Sequence, residues 1–301
     1  MINTTLINKD LIKEQYISTA SSLTRNIKPQ NIKISKAKGV IFYDDKGKEY
    51  LDFSSQTLNL NFGQNHPKIT KAVIKQVKNF TYLSSRFENP LMIELAEKLL
   101  SISPSILRKV NLKLVNGSDA NESTLKRIRK KSGKEFVITY HKTHLGESSE
   151  TLSASGRKEM YIGGSGKFIL VPPPFSSFFE NTPQDDVENL SLYQINKLLQ
   201  RNKNIAGIFL EPIMVNAGVY GFSPNYLKHL RKLCDDYQIS LVFDEIQTAF
   251  GWLGTYFACQ YFDVVPDILT IGKGLAAGFP LSGVLMKKEY ENDVQCLIVP
   301  G

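Results

Sequence analysis

Pro266-Asp267-Ile268-Leu269-Thr270-Ile271-Gly272-Lys273-Gly274 is a short apolar run that ends on a lysine held between two glycines. The run has the length and composition of a buried strand, and a charged amine at its tip implies a task for that amine. Upstream, a second such run closes on Phe243-Asp244-Glu245-Ile246-Gln247. Counting these two, at 268–271 and 241–243, strand-like runs also occur at 112–115, 136–139, 168–171, 206–210 and 284–286. Helical patterns separate several of them. The clearest spans 226–237, where Leu227, Leu230, Leu233, Cys234 and Tyr237 share a face and Ser223-Pro224 supplies a cap and a first-turn proline. This alternation predicts an α/β fold: a mostly parallel, seven-stranded sheet flanked by helices. Ligands on such sheets gather at the carboxyl ends of the strands, where Lys273 and Asp244 both fall.

Ahead of this region, residues 1 to about 40 are polar with scattered aliphatics. Gly39 to Phe53 reads as a hairpin around an Asp-Lys-Gly turn, and helices are expected at about 67–80 and 90–102. The expected division is an N-terminal segment and hairpin over 1–60, then a large domain over 61–301. The chain has 301 residues, 42% of them hydrophobic, enough for one large α/β domain. No apolar run has the length of a membrane span, and the first residues lack a signal-peptide pattern. Cys234, Cys259 and Cys296 are scattered and odd in number, which fits reduced thiols in a cytoplasmic protein and no metal site. The net charge of +8 is spread over Lys-rich helices rather than one dense block. Neither a nucleic-acid nor a membrane partner is expected. Gly163-Gly164-Ser165-Gly166-Lys167 lacks the first glycine and the Ser/Thr of a nucleotide phosphate loop and reads as a turn, and no GxGxxG supports a dehydrogenase.

A buried-strand Asp followed by a glycine-flanked Lys suggests a bound pyridoxal 5′-phosphate (PLP). Lys273 would form a Schiff base with the aldehyde, and Asp244 would hold the pyridine nitrogen protonated; an Asp at such a strand end also caps helices. Gln247, three residues on, is placed for the ring hydroxyl. Asn116-Gly117-Ser118-Asp119-Ala120-Asn121-Glu122 follows one strand and opens a helix that stops at Gly133. Asp119 and Glu122 have capping-box spacing. Gly117 lets the backbone approach a ligand and Ser118 adds a hydroxyl, so the turn suits a phosphate, although such turns also occur without one. His144, in a polar loop after 136–139, reads either as a ring-stacking side chain or as a solvated one. Glu211-Pro212 ends another strand, within reach of a substrate or an arginine.

Taken in order, these motifs resemble the class III PLP-dependent aminotransferases, of PLP fold type I, from about Lys38 to Met286. Gly39 to Phe53 with Asn65-His66-Pro67-Lys68-Ile69 is similar to the family's entry segment, and Glu211-Pro212-Ile213 with Gly218-Val219 to its Glu-Pro segment. The two most diagnostic stretches are Phe243 to Gly251 and Asp267 to Gly274. The resemblance implies Lys273 as the catalytic, cofactor-binding lysine and Asp244 as the partner of the pyridine nitrogen. Gln247 would contact the ring hydroxyl, Gly117 and Ser118 the phosphate, His144 the ring face, and Glu211 the substrate. Three positions depart from the family: Asp119 stands where Glu is usual, His144 where Tyr, Phe or Trp is usual, and Leu145 where His is usual. The resemblance further implies a homodimer that moves an amino group from an amine or amino acid to a keto acid or aldehyde. An aminomutase, decarboxylase or epimerase on the same scaffold is the alternative. Family members continue beyond 301 residues, so a C-terminal small domain is expected to be missing, and a truncated, non-catalytic remnant is a further reading.

Overall fold

The computed structural model describes residues 32–84, 86–156, 165–179 and 181–291. The readings made for 1–31, for Gly163 and Gly164, and for Cys296 and the last residues lie outside these. The expected hairpin forms from β2 (Ile41–Asp44) and β3 (Glu49–Leu51), and β1 (Ile34–Lys38) joins it as a third antiparallel strand. β1 was hidden in the sequence because its residues are mostly exposed and carry no apolar alternation. Residues 55–58 then make one left-handed turn without a glycine, with φ of 46° at Ser55, 51° at Gln56, 58° at Thr57 and 66° at Leu58. Each L-residue held so costs about 1–2 kcal/mol, and nothing in the residue types announces it.

Two proline-started helices follow, α1 (Pro67–Asn79) and α2 (Pro90–Ile102). The chain then alternates through β4 (Lys109–Leu114), α3 (Gly117–Ser132), β5 (Phe136–Tyr140), α4 (Ser149–Ala154), β6 (Phe168–Val171), α5 (Gln184–Arg201) and β7 (Ile205–Leu210). A small ribbon, β8 (Ile213–Met214) with β9 (Tyr220–Gly221), precedes α6 (Pro224–Asp236). The rest is β10 (Ser240–Asp244), the short α7 (Ala258–Tyr261), β11 (Ile268–Ile271) and β12 (Ser282–Met286). Ser223 caps α6 by accepting the amide of Tyr226 at 3.0 Å. Gly133 ends α3 in the left-handed region, at φ 65°.

The seven strands form one sheet in the order β4-β12-β11-β10-β7-β5-β6. β10 is parallel to both β11 and β7, and β5 to both β7 and β6, while β12 runs against β11 and β4. β4 therefore points the same way as β11, and the expectation of a mostly parallel sheet holds. Alternate strand residues split between two apolar layers. Leu241, Phe243, Leu269 and Leu285 pack with Ile195 and Leu199 of α5 and Leu227 and Leu230 of α6. Val242, Ile268 and Val284 pack with Leu125 and Ile128 of α3 on the other face. Covered on both faces, the sheet buries β7, β10, β11 and β12 completely, and their ends are left for chemistry. No helix among the described residues is long and apolar enough to cross a membrane.

Candidate active site

The carboxyl ends of β4, β5, β7, β10 and β11 deliver the predicted residues to one edge of the sheet. β10 ends on Asp244, which pairs with Thr270 of β11. Gly272 and Lys273 follow β11 directly, and Lys273 takes φ 38° at the start of a 3₁₀ turn over Lys273–Ala276. Glu211 directly follows β7, and β5 leads into the loop carrying Thr143 and His144. β4 ends at Leu114, two residues before Asn116, the cap of α3.

The start of α3 corrects one expectation. Asn116, not Asp119, caps the helix, its side chain accepting the amide of Asp119 at 3.0 Å. Glu122 pairs instead with Lys126 at 3.7 Å. The turn packs tightly on the β10 loop. A Cβ on Gly117 would lie 2.8 Å from Ile246 Cδ1, so any larger residue there would displace Ile246. Ser118 Oγ accepts the Glu147 amide at 3.0 Å, which joins this turn to the loop after β5.

Asp244 is buried. Its Oδ1 accepts the Ile246 amide at 2.9 Å and its Oδ2 accepts Asn121 Nδ2 at 2.7 Å. Burial pushes its pKa up, and the two hydrogen bonds together with the Lys273 charge pull it back. Glu211 is also buried, its Oε1 accepting both Thr143 Oγ1 and the His144 amide at 2.8 Å. Burial and then the charge of Asp244 push its pKa well above the carboxylate range. Lys273 is shifted down by burial, opposed by the attraction of Asp244 and Glu211. Two acids that resist ionising and one amine that resists protonation are therefore coupled across the strand ends.

A cavity of about 450 Å³ opens here, within the roughly 300–1,000 Å³ of small-molecule sites. Gly117, Ser118, His144, Asp244 and Gln247 all line it, together with Asn116 and Asn121. Lys273 and Glu211 are not among its lining residues. They join the group through their charge coupling to Asp244. His144 is half-buried on the cavity wall. The donor set suits a phosphorylated, nitrogen-containing ring. Backbone amides open a helix at one part of the wall, a carboxylate stands at another, and the buried Asn121 Oδ1 has no partner among the described residues. No group of three or more His, Cys, Asp or Glu that could hold a metal ion is found among the described residues.

Asn121 and Thr143 were not anticipated. Both carry short polar side chains, which read as solvated helix and loop positions in a sequence, yet both are almost fully buried. The one available signal was Asn121 itself, a poor helix former placed within the first turns of a helix.

Glu211 makes a test of these electrostatics. Its pKa is raised by folding, so the folded state holds a proton that the unfolded chain has released once the pH exceeds the ordinary carboxylate value of about 4.3. The resulting cost to stability grows as the pH rises. Glu211→Gln keeps an oxygen to accept from Thr143 and His144 and removes the charge. Cofactor-free Glu211→Gln is expected to be more stable than wild type by about 1–3 kcal/mol at pH 8, with a smaller gain at pH 5. Urea unfolding at both pH values measures this, and a gain that does not change with pH would contradict it.

A family model described as Aminotransferase class-III matches residues 23–297. The probable 4-aminobutyrate aminotransferase of Bacillus subtilis (strain 168) is 32% identical over 263 residues, covering 84% of this chain and 60% of the relative. The acetylornithine aminotransferase of Halalkalibacterium halodurans is 33% identical over 258 residues, covering 86% of this chain and 62% of the relative. A solved taurine:2-oxoglutarate aminotransferase from Bifidobacterium kashiwanohense, in complex with PLP and glutamate, superposes with a TM-score of 0.85 at 27% identity, over 93% of this chain and 64% of that one. The chain thus spans 60% to 64% of the length of these proteins.

Proposed function

The chain belongs to the class-III aminotransferase family, whose cofactor is pyridoxal 5′-phosphate, and on that premise we propose that it is a transaminase. It moves an amino group from an amine or amino-acid donor to a keto acid or aldehyde. The observation that carries this reading is the meeting of Asp244 and Lys273 at the ends of two adjacent parallel strands, beside a cavity opened by the α3 amide turn. The bound cofactor supplies an aldehyde that condenses with amines and a ring that accepts electrons from the substrate carbon.

In this reading, the amides at Gly117 and Ser118 and the positive end of α3 hold the phosphate. Asp244 would partner the ring nitrogen and Gln247 the ring hydroxyl. His144 covers a ring face. Lys273 would hold the cofactor and carry the proton; burial favours its uncharged form, which can take a proton from carbon and return it. Glu211, held by Thr143 and the His144 amide, faces the substrate amine as a carboxyl group whose charge responds to its neighbours.

The relatives' names, 4-aminobutyrate, acetylornithine and taurine:2-oxoglutarate aminotransferase, favour donors whose amine is remote from their anionic group, and a 2-oxo acid as acceptor. We read the protein as a cytoplasmic homodimer. The free, buried thiols Cys234 and Cys259 suit a reducing compartment. Phe53 at 93% and Tyr82 at 82% exposure, with Phe87 and Leu91 nearby in sequence, give a partner apolar surface to cover.

The test is a half-reaction. Protein loaded with pyridoxal phosphate and given 4-aminobutyrate or another ω-amino acid is expected to yield stoichiometric pyridoxamine phosphate and the matching aldehyde or oxo acid. Consumption of donor with the cofactor left as pyridoxal phosphate would point to a decarboxylase or epimerase. In the same preparation, a sedimentation mass of one chain would reject the dimer.

A further inference from the structure

We infer that Asn121 is a positioning residue for the cofactor's ring: its amide fixes the Asp244 carboxylate and locks it to the loop that carries His144. Asn121 lies on α3, one turn beyond the Gly117-Ser118 turn, and is 1% exposed. Its Nδ2 carries two hydrogens, and both are engaged. One goes to Asp244 Oδ2 and the other to the Leu145 carbonyl, each at 2.7 Å. The amide's orientation is thereby determined, since reversing it would turn an oxygen toward two acceptors. The same helix thus presents a phosphate-sized amide turn at its start and the hydrogen bond that aims the carboxylate one turn later. Leu145 N is itself tied to Ser155 Oγ at 3.0 Å, so the loop position that Asn121 reads is fixed from both sides.

The Asp244 carboxylate has one donor on each oxygen, Ile246 N and Asn121 Nδ2. Removing Asn121 frees Oδ2 to rotate and takes away one of the hydrogen bonds that favour the charged form in a buried place. The other charged groups coupled to this carboxylate are Glu211, Lys273 and its own neighbour Glu245. Two of these three are acids that disfavour a second negative charge, so the amide has no substitute among them.

The inference rests on the cofactor reading above, and the experiment separates the two. Pyridoxal phosphate is titrated into wild type, Asn121→Leu and Asn121→Asp from pH 5.5 to 8.5, with affinity and near-visible absorbance recorded. Asn121→Leu is expected to bind about 10- to 100-fold more weakly at neutral pH, from the loss of one charge-assisted hydrogen bond. Its absorbance transition is expected to shift in pH as Asp244 protonates more easily. Asn121→Asp distinguishes positioning from packing. Above neutrality it sets two carboxylates against each other and binding fails. At the acid end one shared proton leaves a single negative charge and restores a donor, so binding recovers as the pH falls, opposite to wild type. Wild type that binds no pyridoxal phosphate overturns the cofactor reading itself. Wild type that binds, with both variants following its affinity and its pH dependence, overturns the role of Asn121. Asn121→Asp keeps size and shape, so it decides the matter alone if the leucine variant does not fold.

Discussion

Lys273→Ala is expected to lower transamination by at least about 10²–10⁴-fold, the range for removing a positioned proton-transfer group, while pyridoxal phosphate still binds non-covalently. The structure argues that the loss is chemical and not a loss of folding. β11 is held on both sides by β10 and β12, and its four residues are fully buried. The side chain of Lys273 begins only after the strand has ended, beyond Gly272, and among the described residues no hydrogen bond of the core runs through its amine. Its backbone at φ 38° is as accessible to alanine as to lysine. What changes is the only amine coupled to Asp244 and Glu211 among the described residues. Burial lowers its pKa and so raises the share of uncharged amine, and that form alone can attack the aldehyde or accept a proton. Borohydride treatment followed by peptide mapping should place the cofactor on residue 273 in wild type and nowhere in the variant. A small amine in solution should recover part of the rate by carrying the proton in place of the missing side chain. A Lys273→Ala protein that keeps more than a tenth of wild-type turnover would remove this residue from the chemistry.

The sequence carried most of what is needed to locate this lysine, because buried parallel strands are written as short continuous apolar runs and their ends are where the pattern breaks. Lys273 and Asp244 break it with charge. The order of the strands was not legible: a run such as 284–286 states that β12 is buried but not that it is antiparallel between β4 and β11. Adjacency of β10 and β11 is a tertiary fact, and it alone makes Asp244 and Lys273 neighbours. The turn at 55–58 was invisible because left-handed backbone is usually marked by glycine, and Ser55, Gln56, Thr57 and Leu58 give no such mark. Asn121 and Thr143 were missed for a related reason: short polar side chains look alike in a sequence whether they meet water or a buried carboxylate. Asn116 took the capping role assigned to Asp119 because a cap must lie just outside the helix, and α3 begins at Gly117.

Asp244→Asn should lower turnover by about 10²–10³-fold, the loss associated with one preorganised charge partner, and should weaken cofactor binding as well. The substitution is nearly isosteric, yet it does more than remove a charge. Both carboxylate oxygens accept hydrogen bonds from donors, Ile246 N on one side and Asn121 Nδ2 on the other. An asparagine amide must turn its own NH₂ toward one of them, setting donor against donor in a buried place. On the proposed reading, the ring nitrogen would lose the negative partner that favours its protonated form, and the cofactor's capacity to draw electrons from the substrate carbon would fall. A second effect fixes the cause. The Asp244 charge raises the pKa of Lys273, so its removal lets the amine shed its proton at lower pH. The acid limb of the pH profile for cofactor attachment at Lys273 should therefore move to lower pH in the variant, even as turnover falls. A slower enzyme with an unmoved acid limb would mean that Asp244 acts on the ring without coupling to the lysine. An Asp244→Asn protein within tenfold of wild type in both turnover and affinity would show that another group partners the ring nitrogen.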